Sequence, residues 1–183
     1  MSTQRRPQIP PITFTDDDFT VIDPTQNDPM VITMEIDKFS ITKVLVDQGS
    51  SVDILYCKTF KKIRIPDEDI QPYDEQIVGF SGERVDTRGY IELYITFGEE
   101  EFLSKTIKIR YLLVNAHTSY NVLLGRSSIN RLRAIVSTPH LAMKFPSIDG
   151  DIVTVYVDKK LLKNTYTLSS PSYVVLKDRP ISR

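Results

Sequence analysis

At 183 residues the chain has the length of one ordinary domain with tails. Hydrophobic residues make up 40% and charged residues 26%, a globular composition, and the net charge of −1 gives no global pull toward nucleic acid or anionic membrane. Cys57 is the only cysteine, which excludes an intramolecular disulfide and a four-cysteine zinc site and fits a reducing, cytoplasmic setting. No apolar run approaches the roughly 20 residues of a membrane-spanning helix, and Met1–Pro7 lacks the apolar stretch of a secretory signal.

Residues 1–29 carry Pro7, Pro10, Pro11, Pro24 and Pro29 and the acidic run Asp16-Asp17-Asp18. Proline and charge without periodicity predict an extended linker that packs poorly, with the acids in solvent. The pattern changes at Met30. Val31, Thr33 and Glu35 alternate with Ile32, Met34 and Ile36, Asp37-Lys38 makes a turn, and Phe39 to Val46 returns as the second strand of a hairpin.

That second strand ends in Val44-Leu45-Val46-Asp47-Gln48-Gly49-Ser50-Ser51. Three β-formers deliver Asp47 to a strand tip. Gly49 is expected to take a backbone conformation that a residue with Cβ would resist, and its missing side chain to leave room for another backbone or a ligand beside the acid. Ser50 and Ser51 can donate hydroxyl hydrogen bonds to the Asp47 carboxylate. The same four residues, Asp47 to Ser50, are also the ordinary composition of a turn, so on these residues alone both readings stand.

After the turn, Val52, Leu55, Tyr56, Phe60 and Ile63 fall on one face of a helix, with Ser50 and Asp53 spaced as a capping box. Cys57 reads as a small core or boundary residue. Gln76 to Glu83 contains Val78-Gly79-Phe80-Ser81-Gly82, two glycines around an aromatic and a serine, as in a hairpin tip. Arg84–Phe97 and Phe102–Val114 alternate as a long antiparallel pair around Gly98-Glu99-Glu100-Glu101. Val122-Leu123-Leu124-Gly125 is a short apolar strand whose terminal glycine implies a tight passage, and Ser127 is placed to cap a short helix. Ala134–Ser137 and Leu141–Phe145 read as two last core strands. Beyond Pro146, Ile152–Val157 reads as an isolated strand in a polar tail. His117 and His140 lie far apart without clustered partners, so no metal site is expected.

Asp47-Gln48-Gly49-Ser50, Gly79-Phe80-Ser81-Gly82 and Val122-Leu123-Leu124-Gly125-Arg126 occur in that order ahead of a short helix. The trio resembles the retropepsins, the aspartic proteases of retroviruses and long-terminal-repeat retrotransposons. It is most similar to the protease region of plant gypsy-type gag-pol polyproteins, where segments like Ser137-Thr138-Pro139-His140-Leu141 and Met143-Lys144-Phe145-Pro146 also recur. The resemblance spans roughly Ile12 to Pro146.

It implies an all-β, closed retropepsin-like barrel over residues 30–146, with one or two short helices and a C-terminal strand and linker tail at 147–183. Asp47 would be the catalytic aspartate, with Gln48, Gly49 and Ser50 as its loop. Val78, Gly79, Phe80, Ser81 and Gly82 would form a flap over substrate, and Leu123, Leu124 and Gly125 the strand packed beside the loop. Only one such Asp-x-Gly-Ser occurs, so a complete site needs a homodimer acting on a polypeptide substrate, without cofactor, nucleic acid or membrane. Gln48 departs from the family, which usually carries Thr or Ser there to cross-link the two loops. A non-catalytic dimerisation or peptide-binding module on the same fold is the alternative.

Overall fold

The computed structural model describes residues 9–19, 27–79, 81–100, 102–158 and 174–176, the last as backbone only. Pro7, Pro24, Phe80 and Glu101, named above, lie outside the described residues, as does most of the tail past residue 158.

The alternating segments form the expected strands. β1 (Val31–Ile36) and β2 (Phe39–Val46) make the first hairpin, turning at Asp37, whose φ of 52° suits a tight connection. The long pair is β6 (Thr87–Phe97) with β7 (Lys105–Val114). Two short apolar strands complete the set, β3 (Asp53–Tyr56) and β8 (Val122–Leu124). The hydrogen-bonded order β1-β6-β7-β3-β8-β2, with β2 returning to β1, closes a six-stranded barrel. The β3–β7 and β2–β8 contacts are parallel and the others antiparallel. Closure removes exposed sheet edges and leaves an interior that apolar side chains must fill. Ile32, Ile41, Leu55, Ile95, Ile109 and Leu113 do so and are fully buried. Each such side chain contributes roughly 1.5–3 kcal/mol on leaving water. The backbone of β12 (Val174–Leu176) adds antiparallel to β2 at Phe39–Ile41.

The stretch after Ser50 departs from expectation. It is not one helix: residues 53–56 are strand β3, and the helix, α1, covers only Cys57–Lys62. Leu55 and Tyr56 are buried because β3 lies between β7 and β8, and a short strand covered on both faces has no period of two to reveal it. Asp53 therefore does not cap α1, whose N-cap is Tyr56. The second helix, α2 (Arg126–Leu132), takes Gly125 as its N-cap, so Ser127 sits inside its first turn and is not the cap.

Past α2, β9 (Ile135–Ser137) and β10 (Ala142–Pro146) form a separate sheet outside the barrel. The strand expected to stand alone, β11 (Ile152–Tyr156), pairs with β10 along its whole length, from Ala142↔Tyr156 to Pro146↔Ile152. This sheet joins the barrel through the edge-to-face contact of Phe145 with Phe97 and the Asp158 N–H to Val31 carbonyl bond at 3.1 Å. No helix among the described residues is long and apolar enough to cross a membrane.

The lead-in also packs where it is described. Asp16–Asp18 is a 3₁₀ turn, and Asp18 is only 8% exposed. Its carboxylate accepts the Thr15 N–H at 2.8 Å and pairs with Lys144 of β10 at 2.6 Å. Lys144 also donates to the Thr13 carbonyl, and the Phe14 and Phe19 rings lie 5.2 and 4.1 Å from the His140 ring. The acidic run is thus not wholly solvated. The Lys144 hydrogen bond holds the Asp18 carboxyl below the usual carboxylate range. A depressed carboxylate stabilises the fold above its unfolded-state value and loses that contribution as pH falls through its folded-state value. Asp18→Asn is therefore expected to speed amide exchange across residues 9–19 while leaving the barrel amides protected, and wild type should reach the same state on acidification. Unchanged exchange at 9–19 in the variant would show that the ring contacts alone hold the segment.

Candidate active site

Asp47 follows the last residue of β2 and is half-buried. Its N–H donates to the Leu124 carbonyl at 2.9 Å, so β8 fixes the backbone at the acid itself. Its carboxylate accepts the Gly49 N–H at 2.8 Å on Oδ1. The Asp47 carbonyl accepts the Ser50 N–H at 3.3 Å, closing the turn. Gln48 and Gly49 are exposed at the tip.

Two expectations about this loop need correction. The Ser50 hydroxyl donates to the Val52 carbonyl at 2.8 Å and braces the loop backbone, not the Asp47 carboxylate; Ser51 is exposed. A hydroxyl two residues from a carbonyl closes a local turn more easily than it reaches back three residues. Gly49 is not among the glycines of positive φ. What it supplies is space, since a Cβ there would lie 3.1 Å from Asp47 Oδ1.

The glycine that ends β8 meets its tight passage. A Cβ on Gly125 would come 2.3 Å from the Val52 carbonyl oxygen and 2.9 Å from that of Ser50, both backbone atoms. Arg126 completes the contact, its N–H donating to the Ser50 carbonyl at 2.8 Å. Leu123, Leu124 and Gly125 therefore lie beside the Asp47 loop, as the strand register Val46↔Leu124 requires.

Residues 77–85 form a small ribbon, β4 (Ile77–Val78) with β5 (Arg84–Val85), paired only with each other among the described residues. The Gly79 N–H donates to the Glu83 carbonyl at 2.8 Å, and the Gly82 N–H to the Gly79 carbonyl at 3.0 Å. Gly82 has φ +83°, a conformation that favours glycine. The Ser81 hydroxyl donates to the Glu83 carboxylate and holds it below its ordinary range. Val78 is 59% exposed.

Two further residues beside this site are not among the candidate site residues read from the sequence. Asn121 is fully buried and bolts β8 in place. Its side-chain amide donates to the Thr42 carbonyl at 2.8 Å, its Oδ1 accepts the Thr59 hydroxyl at 3.1 Å, and its N–H donates to the Lys43 carbonyl at 3.0 Å. Thr42 and Lys43 form a β-bulge opposite Thr33, with Lys43 at φ 55°, and a bulge leaves carbonyls that need such a partner. Asp53 is the second: buried at 4% exposure, its Oδ1 accepts the Gly125 N–H at 2.7 Å. Burial pushes its carboxyl up to about 6, with the Gly125 bond opposing. No sequence signal marks Asn121, whereas an acid inside an apolar run could have marked Asp53.

Among the described residues, no three His, Cys, Asp or Glu side chains are grouped to hold a metal ion. Cys57 is buried and its thiol is pushed up by that burial.

No protein-family model and no curated protein matches the sequence. Solved structures do match in three dimensions. The retroviral protease-like domain of Ddi1 from Leishmania major aligns with a TM-score of 0.55 at 12% identity, over 74% of this chain and 98% of that one. A retropepsin-like aspartic protease from Rickettsia conorii aligns with a TM-score of 0.43 at 16% identity, over 69% of this chain and 81% of that one. Gly125→Ala is expected to cost about 2–3 kcal/mol in urea denaturation, since backbone cannot move aside as a side-chain end can. A loss below about 0.5 kcal/mol would mean that the loop yields freely at this contact. The closed barrel, the crossing of its loop over β8 and the alignment with the Ddi1 domain together make the fold retropepsin-like.

Proposed function

We propose that this chain is an aspartic endopeptidase that acts as a homodimer, with Asp47 as its catalytic carboxylate. The observation that carries the reading is the presentation of Asp47: a half-buried acid at a strand tip, its backbone pinned by Leu124 and one oxygen held by the Gly49 N–H, on a retropepsin-like barrel. A carboxylate so placed keeps its second oxygen for a substrate or water.

One carboxylate cannot serve as both base and acid in the same step, and the chain contains a single Asp-x-Gly-Ser. A second copy related by a two-fold axis supplies the other. Two carboxylates in close contact share one proton, because both cannot ionise comfortably. The ionised partner takes a proton from the water held between them as that water attacks the peptide carbonyl. The protonated partner gives its proton to the carbonyl oxygen. Collapse of the tetrahedral intermediate passes a proton to the departing amine and breaks the C–N bond. The substrate lies extended, bonded through its backbone, with the Gly79–Gly82 hairpin as the flap that covers it. On the sequence resemblance, that substrate is a gag-pol polyprotein of plant gypsy type.

One observation favours a second reading, a non-catalytic dimerisation or peptide-binding module. Gln48 stands exposed at the loop tip, and its longer amide does not copy the short hydroxyl cross-link expected between paired loops.

The deciding measurement is cleavage of an unfolded protein from mildly acidic to neutral pH, with and without a transition-state-mimic inhibitor of aspartic proteases. The proposal expects inhibitable cleavage, a rate per chain that rises with protein concentration, and a loss of at least about a hundredfold in Asp47→Asn. Absence of cleavage by a folded, demonstrably dimeric sample would sink the enzyme reading in favour of the module.

A further inference from the structure

Asp53 is a buried carboxylic acid at the head of β3. It lies six positions after Asp47 on β3, between β7 and β8, and at 4% exposure it is cut off from water. Its Oδ1 accepts a 2.7 Å hydrogen bond from the N–H of Gly125, where a Cβ would collide with the Val52 and Ser50 carbonyls of the active-site loop. The two neighbours of Gly125 grip the same loop, Leu124 at the Asp47 N–H and Arg126 at the Ser50 carbonyl. Three consecutive residues thus hold the loop, and Asp53 anchors the middle one.

The groups facing Asp53 leave its charge state open to change. Burial pushes the carboxyl up to about 6, while the Gly125 N–H and, from α2, the Arg131 charge favour the ionised form. From β7, Tyr111 stands opposite in register as a wholly buried phenol, itself pushed far up by burial and by the Asp53 charge.

We propose that Asp53 is a positioning residue for Asp47: through the Gly125 N–H it sets the placement of the active-site loop, and its ionisation state retunes that placement. The inference rests on Asp47 being the catalytic carboxylate. A hydrogen bond to an ionised acceptor is shorter and stronger than one to a neutral acid, so ionised Asp53 holds Gly125 most tightly. Global stability runs the other way. The folded-state value lies above the unfolded one, so the folded chain binds more protons between them, and stability falls as pH rises through that window.

The test uses Asp53→Asn, which keeps size and an acceptor oxygen but cannot titrate, and Asp53→Leu, which removes the acceptor. Amide ¹H–¹⁵N shifts of Gly125 and residue 47 are followed against pH in the folded chain, in wild type and in Asp47→Asn. The expected result is a shared titration with a midpoint near pH 6 in both, absent from Asp53→Asn. In cleavage assays Asp53→Leu should lose about tenfold or more in kcat with KM little changed, and Asp53→Asn should recover part of that loss with a flattened pH profile. A Gly125 titration that survives Asp53→Asn, or a residue 47 amide that does not move with Gly125, overturns the proposal. The shift measurement needs no activity, so it decides the coupling even if the chain cleaves nothing. If Asp53→Leu fails to fold, the titration in Asp53→Asn decides the matter alone.

Discussion

The fixed position of Asp47 depends on the close passage of β8 behind its loop. β8 runs parallel to β2 on one side and antiparallel to β3 on the other, and these two strands are the chain on either side of the loop. The loop is therefore a connection that crosses over the end of β8. Its backbone comes within van der Waals contact of Gly125, and any side chain there would collide with the Ser50 and Val52 carbonyls. Barrel closure and loop placement are one constraint, because the strand that closes the barrel between β2 and β3 also holds the acid.

A strand of three residues cannot bring itself to that place. Its own ladder bonds are few, and a parallel pair is slightly weaker per residue than an antiparallel one. Asn121 supplies what is missing at one end. It turns the Thr42 and Lys43 carbonyls freed by the β-bulge into a docking point and ties them to Thr59 on α1. Gly125 and Asp53 do the same at the other end. Removing a partner from a buried polar group costs about 1–3 kcal/mol, comparable to the burial of a whole aliphatic side chain. Two polar bolts thus outweigh the intrinsic pairing of so short a strand.

The sequence reading succeeds where one face of an element meets water. The β1–β2 hairpin, the β6–β7 pair, the 77–85 ribbon and the tip position of Asp47 are all legible, because polar and apolar residues alternate or a turn residue marks the end. It fails where neither face of an element meets water, and where the partner of a residue is not announced by its neighbours in sequence. Leu55 and Tyr56 are covered on both faces, so their spacing carries no strand signal and the nearby Phe60 and Ile63 lend them a helical one. β11 reads as isolated because nothing local announces its pairing with β10. Asp18 reads as one of three solvated acids, since only the fold brings Lys144 to it. Proximity in sequence points the Ser50 hydroxyl at the Asp47 carboxylate, when the Val52 carbonyl is the nearer acceptor. Motif reading locates the residues of the candidate site, but the bonds that hold them in place come from residues outside the motifs.

On the proposed function, the chain divides its labour between parts of unequal stiffness. Asp47 sits where backbone bonds from three directions converge, with little freedom for the acid to drift. The Gly79–Gly82 ribbon is joined to the barrel sheet by no ladder among the described residues, and it carries an exposed valine at its base. Few buried contacts and exposed ladder bonds mark the low-stability end of a fold, from which elements that open and close are drawn. Paired carboxylates need fixed separation to share a proton, whereas an extended peptide has to enter and leave. A loop pinned by backbone bonds and a ribbon with no ladder to the barrel among the described residues would meet both demands, and the exposed Val78 is the kind of surface that a bound peptide would cover.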